Sequence, residues 1–97
     1  MTTTAAGPLP EAEIAGKTYQ FELTWSSYRD LLKAFGENPH FGDPDVLAGV
    51  AAIALRLHHP EVTPQFILDA SPPMVPVATA VRAAMVRLWY GENGPPT

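Results

Sequence analysis

Gly16-Lys17-Thr18-Tyr19-Gln20-Phe21-Glu22-Leu23-Thr24, running directly into Trp25-Ser26-Ser27-Tyr28-Arg29-Asp30-Leu31-Leu32-Lys33-Ala34-Phe35-Gly36, is where the chain changes its period. Tyr19, Phe21 and Leu23 alternate with polar residues, which is the pattern of a half-buried strand. Tyr28, Leu31, Leu32 and Phe35 then recur at three- and four-residue intervals, which is the pattern of a helix with one apolar face. The stretch therefore predicts a strand over 18–24 and a helix that starts at Ser26 or Ser27, where a hydroxyl can accept from the free N–H groups of the first turn. Gly36 is the expected stop, since glycine readily takes the left-handed conformation common just past a helix end.

Upstream, Ile14 opens a short apolar element that Ala15-Gly16-Lys17 interrupts, and a tight turn at Gly16 would fold the two into a β-hairpin. Two strands alone are barely stable, so the hairpin must pack on the helices downstream of it. Glu37 to Gly42 reads as a loop, and Asp43-Pro44 restarts a helix with a capping carboxylate and a proline at the first helical position. Val46, Leu47, Val50, Ile53, Ala54 and Leu57 form its apolar stripe, and the run ends at His58-His59-Pro60. Thr63-Pro64 repeats the cap-plus-proline signature and opens a helix of about two turns that breaks near Ser71-Pro72-Pro73. A last helix is expected to start between Pro73 and Pro76 and to run to Tyr90. Val77, Val81, Ala84 and Leu88 form one stripe on it, with Met74, Ala78, Met85 and Trp89 beside them.

The expected fold is thus mainly α, in the α+β sense: a short N-terminal β-hairpin followed by a compact bundle of about four helices. Residues 13–91 form the single domain. Residues 1–12 and 92–97, rich in Thr, Gly and Pro, are expected to be flexible tails.

Composition narrows the function classes. In 97 residues there is room for one thin core, and a chain of this size buries only about 60–65% of its unfolded surface. The net charge is -4 and the six Lys and Arg are spread singly, so a phosphate-backbone footprint is not expected. The chain has no cysteine, which excludes disulfides and thiolate metal sites. It has no apolar run approaching the roughly 18 residues a membrane span needs, and its start lacks a basic segment and an apolar core. The expectation is a soluble protein with no cleavable signal, no nucleic-acid partner and no membrane partner.

Residues that could carry chemistry have plainer explanations. His58 and His59 are adjacent, so on a helix they point about 100° apart and cannot share one ion as an i, i+4 pair does; a helix C-terminus accounts for them better. Asp43 and Asp45 suit a helix N-terminus. Ser71, His58 and Asp69 could be written as a triad, yet no nucleophile elbow or oxyanion loop accompanies them. Gly36, Gly42 and Gly49 are isolated and form no phosphate cradle; Gly49 suits close helix packing instead. No enzyme, cofactor or metal is expected. Met74, Met85, Leu88, Trp89 and Tyr90 are of the soft apolar and aromatic types enriched in interface cores, and they are the candidate partner interface.

Taken as one pattern, the chain resembles the small tail assembly chaperones of tailed phages, in the form found in gene transfer agents and related prophages. The resemblance rests on the G-K-T-Y-Q-F-E-L-T strand, the W-S-S-Y-R-D-L-L-K-A-F-G helix, the Ala/Leu-rich L-A-G-V-A-A-I-A-L-R-L helix and the H-P-E-V-T-P-Q-F-I step after it, and spans Gly16 to Tyr90. It implies a protein of the bacterial host cytoplasm that binds the tape measure protein, keeps its helices from aggregating and helps recruit tail tube protein. Self-association is compatible with the same pattern. The rival reading is a structural head-tail connector or tail completion protein retained in the particle. That role usually needs a ring interface and longer loops, and the short links here favour the chaperone. A small regulatory protein of the toxin-antitoxin kind is suggested only by size and charge.

Overall fold

The computed structural model describes residues 9–91. The element order is β1 (Glu11–Ile14), β2 (Lys17–Gln20), α1 (Trp25–Phe35), α2 (Pro44–Leu55), α3 (Pro64–Ala70) and α4 (Met74–Tyr90). This is the hairpin followed by four helices that the sequence predicts.

The hairpin turns on Ala15 (φ 55°) and Gly16 (φ 81°). Two successive positive φ angles give the primed turn whose twist matches that of two antiparallel strands. Ile14 pairs with Lys17 and Glu11 with Gln20. Ala12, Ile14 and Tyr19 are buried while Glu11 and Glu13 face out, so one side of the ribbon is core. β1 begins at Glu11, within the stretch 1–12 expected as a tail, because Ala12 faces Tyr19 across the ladder and is buried. The rest of the expected tails, 1–8 and 92–97, lies outside the described residues.

The strand expected over 18–24 is shorter, ending at Gln20, although Phe21 and Leu23 continue the buried alternation. One further bond runs from the Phe21 N–H to the Pro10 carbonyl, 2.9 Å; Pro10 has no N–H to return. The Glu22 N–H then turns to the Ala54 carbonyl, 2.9 Å, near the end of α2. The chain thus leaves the ribbon to satisfy one of the carbonyls that a helix C-terminus leaves without a partner.

Helix α1 is capped by Thr24, upstream of the Ser26 or Ser27 expected. Thr24 Oγ1 accepts from the Ser27 N–H at 3.1 Å, and Ser27 Oγ accepts from the Thr24 N–H at 2.8 Å. This reciprocal box makes Ser27 the third helical residue and brings Trp25 into the first turn. Helix α2 starts as read, with Asp43 Oδ1 accepting from the Asp45 N–H at 2.9 Å and Pro44 in the first turn. It is the central element, packing on α1, α3 and α4, and Leu47 to Ala51, Ala54 and Leu55 are all buried. The expected stripe overran its end: Leu57 is exposed, since the Arg56 N–H reaches back only to Ile53 and the chain tightens and turns before Leu57 can face inward. Helix α3 has the expected Thr63 cap, which accepts from the Phe66 N–H at 3.0 Å, and Pro64 behind it. It stops at Ser71, whose φ of 49° is left-handed.

Helix α4 lays Val77, Val81 and Ala84 on the core and packs on both α2 and β1. The centre is closed by Phe21, Ile14, Leu31, Leu55, Val50, Val77 and Val81, each under 2% exposed. The Phe35 ring of α1 sits over Gly49 of α2 so closely that a Cβ there would overlap it, which is the close helix packing expected of Gly49. Among the described residues, every buried side-chain nitrogen or oxygen has a hydrogen-bond partner.

Candidate functional site

An apolar depression arises from how α1 begins. Because Thr24 caps the helix, Trp25 occupies the first helical position, and Tyr28 and Leu32 lie three and seven residues on, along one face. The last turn of α4 comes alongside with Leu88 and Trp89. Between them runs an open groove of about 460 Å³ lined by Trp25, Tyr28, Arg29, Leu32, Lys33, Leu88 and Trp89. Trp25 is 85% exposed and Trp89 68%. The Tyr28 and Trp89 rings meet edge to face, 6.4 Å between centroids and 85° between planes, an arrangement aromatic quadrupoles favour and one that joins the two walls. Both tryptophans of the chain thus line one groove.

Its electrostatics are one-sided. Arg29 and Lys33 stand four residues apart at the groove, the spacing of neighbours on a helix surface. Arg29 Nε lies 3.9 Å from Asp30, whose carboxylate is held more closely by Arg56 at 2.9 Å. Lys33 has no acidic partner among the described residues.

The five interface candidates do not form one surface. Leu88 and Trp89 line the groove. Tyr90 is 55% exposed but is not among the groove's walls, and Met85 packs partly buried against the core. Met74 lies fifteen positions before Trp89, about 22 Å along the helix at 1.5 Å per residue. There it borders a smaller apolar cleft of about 240 Å³ with Pro44, Ile67 and Leu68. Trp25 was missed: its spacing to Tyr28 and Leu32 was legible, but starting the helix at Ser26 or Ser27 left it outside the stripe.

The residues weighed for chemistry are engaged elsewhere. His58 Nε2 lies 2.7 Å from Glu22 Oε1, and His59 Nε2 accepts from the Gln20 N–H at 3.1 Å while its ring meets Tyr19 edge-on at 4.9 Å. The pair therefore fastens the turn after α2 to β2 and the segment behind it, a role beyond the helix-end preference proposed from sequence. Asp69 Oδ1 accepts from Gln65 at 2.9 Å, and Ser71 Oγ donates to the Leu68 carbonyl at 3.0 Å. Ser71, His58 and Asp69 thus have separate partners. Among the described residues no group of three or more His, Cys, Asp or Glu could hold a metal ion, and no helix is long and apolar enough to cross a membrane.

No protein family, curated protein or solved structure matches the chain.

Proposed function

We propose that the protein is a tail assembly chaperone of a phage or gene transfer agent, acting in the host cytoplasm, where it binds helices of the tape measure protein and helps bring tail tube subunits to them. The observation that carries the proposal is the groove between α1 and the end of α4, with two exposed indoles on a small acidic domain. Exposed aromatic and aliphatic side chains gathered in a groove between helices suit the apolar face of an amphipathic helix. The likeness of Gly16 to Tyr90 to the chaperone pattern supplies the identity of that helix. Co-expression with the product of the longest coiled-coil-rich open reading frame to be found downstream of the gene tests the reading. The expected result is capture of that protein, with this chain absent from finished particles by mass spectrometry. No capture, together with a clear presence in particles, would replace it with the connector or tail completion role.

A further inference from the structure

The groove also carries information about the charge of what fills it. On a chain with net charge -4, two of the six cations, Arg29 and Lys33, stand side by side at the one apolar groove that holds both tryptophans. Asp30 is drawn toward Arg56, so Arg29 keeps a guanidinium that is two-thirds exposed, and Lys33 has no carboxylate partner among the described residues. Buried apolar area holds a docked helix in place, while unpaired charges along the rim select its sequence and orientation. We infer that the occupant is an amphipathic helix whose apolar stripe is bordered by Asp or Glu at i, i+4 spacing, its apolar residues seated between Trp25 and Trp89 and its carboxylates facing Arg29 and Lys33. This rests on the groove being the docking face, as in the function proposed above, but not on which protein supplies the helix.

The two tryptophans make the test direct, because the intrinsic tryptophan fluorescence of the full chain reports on this groove alone. The titrants are two synthetic helices of about 18 residues, long enough for five turns, with the same Leu/Phe stripe and either Glu or Lys along its border. The Glu peptide is expected to shift the emission to shorter wavelength and to bind at least about tenfold tighter than the Lys peptide, with an affinity that falls as salt rises. The double substitution Arg29→Glu/Lys33→Glu, on exposed positions, is expected to reverse that preference with an unchanged melting temperature. Equal binding of both peptides, no shift with either, or a shift that grows with protein concentration alone, as a second copy filling the groove would give, overturns the inference. Binding that prefers the Glu peptide without capture of the downstream protein would support the charge rule and defeat the chaperone assignment. Capture with no charge preference would do the reverse.

Discussion

At the scale of single residues, Ala15 and Gly49 each hold backbone or side chain at a steric limit. Ala15 sits at φ 55° in the hairpin turn, a conformation that costs an L-residue with a Cβ about 1 kcal/mol and that asparagine tolerates better. Ala15→Asn should therefore stabilise the domain by roughly 0.5–1 kcal/mol, seen as a higher denaturation midpoint with an unchanged slope; an unchanged or lower midpoint would show that the turn is not primed. Gly49 lies under the Phe35 ring with no room for a methyl group. Gly49→Ala should destabilise by about 1–3 kcal/mol as overpacking, and Phe35→Leu should recover part of that loss in the double variant. Strict additivity of the two substitutions would mean the ring and the glycine do not touch.

At the scale of elements, the order of all six was legible, but β1 was expected to begin at Ile14 and instead ends there, and the departures have local causes. Asp43-Pro44 and Thr63-Pro64 were readable as starts because cap and proline are adjacent in sequence and act on the turn immediately after them. The start of α1 was not, since both Thr24 and Ser27 are good caps in isolation and only the folded geometry shows them serving each other. That ambiguity moved the helix start past Trp25 and hid half of the groove, so most of the fold was legible while the candidate site was only partly so. The end of α2 was overrun because an apolar Leu57 fits the period, whereas the bond from Glu22 to the Ala54 carbonyl that helps finish the helix comes from a distant segment. If Thr24 is the cap, Thr24→Ala should cost about 0.5–2 kcal/mol and Ser26→Ala close to nothing. The opposite ranking in chemical denaturation would put the start back at Ser26. Along α2, Leu55→Ala should cost about 2–5 kcal/mol as a fully buried truncation, and the partly buried Ile53 clearly less. Equal losses at the two sites would place the helix in a different rotation about its axis.

At the scale of the whole molecule, the groove and the core are separable. Trp25 and Trp89 contribute little to burial, so Trp25→Ala/Trp89→Ala should abolish capture of the downstream protein while leaving the melting temperature within a few degrees of the parent. A large fall in melting temperature would make the indoles part of the fold, and the interface would have to be sought near Met74 instead. The packing of β1 against α4 joins the first strand and the last helix of the described residues. On the ribosome the core therefore cannot close until α4 has emerged from the exit tunnel. The groove, built from α1 and the last turn of α4, is completed at the same late moment, so a nascent or truncated chain lacking that turn offers a partner only the α1 wall and one of the two indoles.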